Sequence, residues 1–180
     1  CHSMQSISKS AMNLVIGGLV ENELIDLGKK VKHYLPKIGS GYAEATIQQV
    51  LDMDVINNFD ENYDASYEHD TQVGAPVGYN REEIALGWRL PPEGERQFSS
   101  REFAASHVSN NVVNTTGYTE YRSPNTDILG WIAETATGRP LIEFLIEIIE
   151  AVGIEGTYHI GLDCDGVPQF AGGACMTARD

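Results

Sequence analysis

The chain has 180 residues, 42% hydrophobic and 21% charged, which is enough apolar material for one domain with a packed core. Twelve basic against 26 acidic residues give a formal net charge of −14, which repels phosphate backbones and anionic membrane surfaces and so argues against nucleic acid and lipid as partners. No uninterrupted apolar run is long enough to span a membrane, so small molecules are the partners left in view.

The first stretch runs from Cys1 into an apolar segment, 11–20, in which Met12, Val15, Ile16, Leu19 and Val20 recur at helical spacing. It predicts a helix over 4–20. The pair Gly17-Gly18 inside it costs stability unless another element packs closely there. Ser6 and Lys9, three apart, fall on one face of its first turn, so their side chains can touch. A serine hydroxyl is a weak nucleophile until a base takes its proton, and a lysine can be that base when its neutral form is within reach. A helix start also favours an anion developing at the serine. The plainer reading of a serine-rich helix start is capping. The chain opens on Cys1 almost on top of this motif, with no basic-start signal peptide and no Met before it, which points to upstream sequence removed. Cysteines at 1, 164 and 175 show no metal-type pair spacing and allow at most one bridge.

Further along, a short helical run over 29–35 is closed by Pro36, and Thr46 reads as the N-cap of a helix carrying Ile47, Val50 and Leu51 on one face. Residues 57–70 interleave Phe59, Tyr63 and Tyr67 with Asp60, Glu61, Asp64, Glu68 and Asp70. That composition suits a solvated acidic loop with its aromatics turned inward, and its spacing matches no hard-cation loop. Residues 74–80 continue the loop, 82–88 form a short helix stopped by Pro91-Pro92, and 98–107 form a helix capped by Ser99 or Ser100. His107 lies on the inner face of that helix with Phe103 and Ala104, where a packed histidine competes with a catalytic one. Residues 110–120 are polar and turn-like, and Asn114-Thr115-Thr116 matches a glycosylation acceptor that matters only in a eukaryotic secreted protein.

Tyr121-Arg122-Ser123 leads to a helix over 128–137 ended by Gly138, with Pro140 beyond, and then to a helix over 141–152 stopped by Gly153. Asp163-Cys164-Asp165-Gly166 lacks the downstream glutamate of a calcium loop and reads as the turn of a β-hairpin spanning about 157–170. Residues 172–180 read as the start of a further helix. No metal ligand set and no cofactor motif emerges anywhere in the chain.

Several of these stretches, taken in order, make the chain similar to the serine β-lactamase-like hydrolases: class C β-lactamases, D-Ala-D-Ala carboxypeptidases, related esterases and 6-aminohexanoate-oligomer hydrolases. Ser6-Ile7-Ser8-Lys9-Ser10 resembles the family's nucleophile motif, a form of Ser-x-x-Lys. Residues 18–27 with His33-Tyr34-Leu35-Pro36, the helix from Thr46 to Leu51, Tyr121-Arg122-Ser123 with Leu129-Gly130-Trp131-Ile132, Thr137-Gly138-Arg139-Pro140, Gly172-Gly173-Ala174-Cys175 and Thr177-Ala178-Arg179-Asp180 each resemble a family passage at family spacing. Met53-Asp54-Val55-Ile56 departs from the usual Thr-His-Thr-Ser-Gly beside the pocket.

The resemblance implies Ser6 as nucleophile, Lys9 as its base and Tyr121 as the phenol that relays a proton to the leaving group, with Ser123 and Asn125 at the substrate. Ser123 in place of the β-lactamases' asparagine implies an esterase or amide hydrolase working through an acyl-enzyme on a small ester or amide. It also implies a soluble protein, of bacterial cytoplasm or periplasm, built as a single partial domain over 1–180. That domain is mainly α within an α+β family, with a short hairpin, and most of the sheet and the third substrate-binding motif lie beyond the chain. Loss of that motif leaves open a competing reading, a non-catalytic helical fragment or binding module. A first helix deprived of its sheet implies a homo-oligomer that covers it with a second copy.

Overall fold

The computed structural model describes residues 1–66, 77–110 and 120–180. Tyr67, Glu68 and Asp70, the loop residues 74–76 and the sequon at Asn114 lie outside the described residues. In chain order the elements are β1 (His2–Ser3), a 3-10 turn (Gln5–Ser8), α1 (Lys9–Glu21), α2 (Val31–Tyr34), α3 (Ile47–Leu51), β2 (Phe59–Asp60), β3 (Val77–Gly78), α4 (Tyr79–Ala85), α5 (Ser100–Glu102) running on into a π-helical turn (Phe103–His107), α6 (Pro124–Thr137), α7 (Leu141–Val152), β4 (His159–Ile160) and β5 (Ala174–Met176). The architecture is helix-rich with small sheets.

Local chemistry sets most of the helix ends. Thr46 closes a capping box on α3: its hydroxyl accepts from the Gln49 N–H at 3.1 Å, and the Gln49 side chain accepts from the Thr46 N–H at 3.0 Å. Ser99 accepts from the Glu102 N–H, as expected of the α5 cap. Pro124 starts α6 four residues before the predicted boundary, since proline in the first turn forfeits no hydrogen bond. Gly138 and Gly153 end α6 and α7 in the left-handed conformation, at φ 70° and 73°.

The core is centred on α6. Nearly every side chain from Pro124 to Ala133 is buried, and α1, α3 and α7 pack around it. A methyl on Gly130 would sit 2.7 Å from Leu141 and 3.2 Å from Met12, so this glycine is what lets α1 and α7 approach α6. Met12, Ile16, Ile128 and Ile132 are each at most 1% exposed, and burying each such side chain contributes on the order of 2 kcal/mol. The outer face of α1 is different. Among the described residues, nothing stands within 4 Å of a methyl placed on Gly17 or Gly18, and a groove of about 480 Å³ lies between α1, α6 and α7, lined by Leu14, Leu19, Leu24, Phe144 and Ile148. Among the described residues, no element packs on the glycine pair.

Two sequence expectations change in the sheet. The turn at Asp165-Gly166 is present, with the Gly166 N–H on the Asp163 carbonyl at 3.0 Å and Gly166 at φ 79°. Its arms pair only at Leu162 and Pro168, held by the Asp163 N–H on the Val167 carbonyl and the Gln169 N–H on the Gly161 carbonyl, each at 3.0 Å, while the Gly161 N–H goes instead to the Gly173 carbonyl at 2.9 Å. The strand β4 pairs instead with β5, through His159–Cys175 and Ile160–Ala174, and β5 takes β1 on its other edge, giving an antiparallel order β1-β5-β4. Residues 174–176 are therefore strand, and the helix expected there does not form. A disulfide joins Cys1 to Cys175 across β1 and β5. In the chain-entropy account, closing a loop of that length removes about 5 kcal/mol of unfolded-state freedom. Among the described residues, no helix is long and apolar enough to cross a membrane.

Candidate active site

The chain leaves β1 through Met4, whose N–H donates to the Ala174 carbonyl at 2.9 Å, and reverses sharply at Gln5, where φ is +44°. A non-glycine residue in that region is uncommon and strained, on the order of 1 kcal/mol. Ser6 then falls in the 3-10 turn, ahead of the helix proper, which begins at Lys9; the single helix expected over 4–20 is divided here. The Ser8 hydroxyl fastens the turn by donating to the Gln5 carbonyl at 2.6 Å.

Across the cleft, the conformation of Tyr121-Arg122-Ser123 is set by its middle residue. Arg122 is 2% exposed, and its guanidinium donates to the carbonyls of Val55 and Phe59 and pairs with Glu120 at 2.6 Å. With that side chain drawn inward, Ser123 lines the cleft and the Tyr121 side chain is exposed. Arg122 also anchors the atypical 53–56 passage, because the Arg122 N–H approaches the Met53 sulfur at 3.5 Å.

Tyr121 and Lys9 meet at Ser6, and Ser123 joins them through Lys9. Tyr121 Oη donates to Ser6 Oγ at 2.6 Å, and Lys9 Nζ donates to Ser6 Oγ at 3.1 Å and to Ser123 Oγ at 3.0 Å. The third Lys9 bond goes to the carbonyl of Ala171, and the ammonium lies 4.9 Å from the centre of the Tyr121 ring. Ser6 and Tyr121 are exposed, and Lys9 is half-buried. The cleft holds about 700 Å³ between Ser6, Tyr63, Tyr79, Trp88 and the 171–175 segment.

Asn125 is not in it. It is fully buried, its amide accepting from Tyr42 Oη at 3.0 Å and donating to the Val50 carbonyl at 3.0 Å, so its polarity is spent on joining α6 to α3. His107 stacks on Phe98 at 4.5 Å, and burial lowers its pKa, as suits a packed histidine.

Two residues that sequence reasoning passed over complete the site. Gln169, 3% exposed, donates to the Leu86 carbonyl, accepts from Trp88 Nε1 at 2.8 Å, and leaves no space for a side chain at Gly161 or Gly173. That packing is what places the Ala171 carbonyl on Lys9. Glu61, in the acidic stretch, accepts from the N–H of Ser123 and, at 2.6 Å, from its hydroxyl.

Buried carboxyls lie below. Burial pushes Asp127 up to about 7 and drives Glu82 well above the ordinary range, with Glu61 and Asp127 adding to the effect on Glu82. Among the described residues, neither carboxyl oxygen of Glu82 has a hydrogen-bond partner. Burial and the bond to Glu61 push the phenol of Tyr63 up. Among the described residues, no group of three or more His, Cys, Asp or Glu stands together in a way that could hold a metal ion.

Residues 1–174 match the family model described as Beta-lactamase. The chain is 31% identical to the 6-aminohexanoate-dimer hydrolase of Paenarthrobacter ureafaciens, over 99% of its own length and 43% of that protein's. It therefore spans less than half of that relative. It superposes on a Bacillus anthracis structure provisionally described as a 6-aminohexanoate-dimer hydrolase with a TM-score of 0.76 at 25% identity, covering 99% of this chain and 45% of the other. A D-stereospecific amidohydrolase from Streptomyces sp. shares the fold at a TM-score of 0.62 and 17% identity, covering 99% and 57%.

Proposed function

The chain belongs to the Beta-lactamase family, and from that footing we propose that it carries the nucleophilic half of a serine hydrolase that cleaves a small ester or amide through an acyl-enzyme. The observation that supports this most is the convergence on Ser6 Oγ of a phenol at 2.6 Å and an amine at 3.1 Å. Nucleophile, base and acid for the leaving group stand within reach of one another, which is what acyl transfer requires.

A neutral Lys9 amine has two N–H bonds and one lone pair. Ser123 Oγ and the Ala171 carbonyl accept the two N–H bonds, and the lone pair is left facing Ser6. As the Ser6 oxygen bonds to the substrate carbonyl carbon, its proton passes to Lys9. Collapse of the tetrahedral adduct breaks the bond to the leaving group, which takes the Tyr121 phenol proton, and Lys9 returns a proton to Tyr121. Water then attacks the acyl-enzyme by the same steps in reverse order. The Ser6 N–H, in the first turn, has no carbonyl partner within its own turn and is available to the oxyanion.

A phenyl-ring-free pocket is not what the substrate meets: Tyr63, Tyr79 and Trp88 form one wall. With a relative that acts on 6-aminohexanoate dimer, this supports a linear amide or ester over a fused lactam. Labelling with a fluorophosphonate, read by intact mass on the full-length protein, checks the assignment. One adduct is expected on the wild type and none on Ser6→Ala; an adduct that survives Ser6→Ala refutes it.

A further inference from the structure

The reaction above gives no role to Glu61. Its carboxylate nevertheless takes three hydrogen bonds at the edge of the site: one from the Ser123 N–H, one from the Ser123 hydroxyl at 2.6 Å and one from Tyr63 Oη at 2.5 Å. The Tyr63 ring is in turn held edge-on against Tyr79, with centroids 4.6 Å apart.

A serine hydroxyl has one proton and can both donate and accept. Donating to Glu61, Ser123 can meet Lys9 only as an acceptor, and it does so at 3.0 Å. With its proton turned the other way, Ser123 would donate to the Lys9 nitrogen. It would then occupy the lone pair that has to receive the proton of Ser6. A carboxylate is an acceptor only, so nothing on Glu61 can reverse the direction of that bond.

We infer that Glu61 is a positioning residue of the proposed hydrolase, one that commits the Ser123 proton and so reserves the Lys9 lone pair for Ser6. The inference rests on the serine-hydrolase reading. Its bond to the Ser123 N–H adds a second hold, because Ser123 is the residue from which α6 departs and a helix start favours an anion. A capping role alone would affect stability and leave turnover per folded molecule unchanged. Acting through Ser123 affects turnover and does so only while the Ser123 hydroxyl is there.

The test is a double-mutant cycle on the full-length protein, with p-nitrophenyl acetate as substrate and Ser6→Ala as blank. Glu61→Gln keeps the shape and removes the acceptor-only carboxylate. It is expected to lower kcat about 10- to 100-fold and to leave KM within about twofold. In the Ser123→Ala background the same change is expected to cost less than about threefold more. Glu61→Asp, which keeps the charge but stops a methylene short, is expected to fall between wild type and Glu61→Gln, and it carries the cycle if Glu61→Gln does not fold. Wild-type kcat in the folded Glu61 variants, or losses that multiply fully with Ser123→Ala, would overturn the inference while a silent Ser6→Ala upholds the hydrolase. Activity persisting in Ser6→Ala would overturn both.

Discussion

Asp127 sits in the first turn of α6 with 9% of its surface exposed, and burial is the main reason its carboxyl rises to about 7, against the opposing pull of Lys9. Between about pH 4 and 7 the folded chain then holds a proton that the unfolded chain has lost. The native state binds more protons there, so stability falls as pH rises through the window, on the order of 1 kcal/mol per pH unit. Glu82, shifted in the same direction by its burial, adds to the slope. Asp127→Asn is neutral at every pH, so its urea midpoint should drop less than the wild type's between pH 5 and pH 8. Equal drops would mean that the carboxyl is charged throughout. At this scale Ser6 and Lys9 are legible in the sequence from their spacing of three, and Tyr121 and Ser123 only through the resemblance of their passage to a family motif. Glu61 is not, since nothing in a run of carboxylates marks the one that meets a serine 62 positions away. Asn125 shows the converse: a polar residue in a motif does not announce that its partners are Tyr42 and the Val50 carbonyl.

The nucleophile helix offers the sharpest question among the elements. Gly17 and Gly18 lie mid-helix with ordinary φ and open space around them. Glycine in a helix interior is less stable than alanine by about 0.5–1 kcal/mol. Gly17→Ala is therefore expected to stabilise the chain by that amount, measured by chemical denaturation. Destabilisation would instead mean that a second copy or another part of the protein packs on this face, as the self-association expected from the sequence requires. Helices of this fold are legible because period and caps are local: Thr46, Gly138 and Gly153 each act within a turn. The strands are two or three residues long, and their pairing depends on partners far along the chain, so β1 with β5 left no periodic trace. The hairpin near 157–170 keeps its turn and one bridge, but the strand His159–Ile160 at its start takes β5, farther along the chain, as its partner.

For the whole molecule, the sites of chemistry and of closure coincide. Cys175 lines the cleft, its strand lies beside β1, and β1 delivers the chain to Ser6. The Cys1–Cys175 bond thus makes residues 1–175 a covalent ring. A protease that cuts one peptide bond anywhere in that ring releases no fragment; it opens a loop whose two pieces stay bound. Such singly nicked protein should migrate as one species on a denaturing gel without thiol, and separate into two only after reduction. Its mass would rise by one water and nothing else.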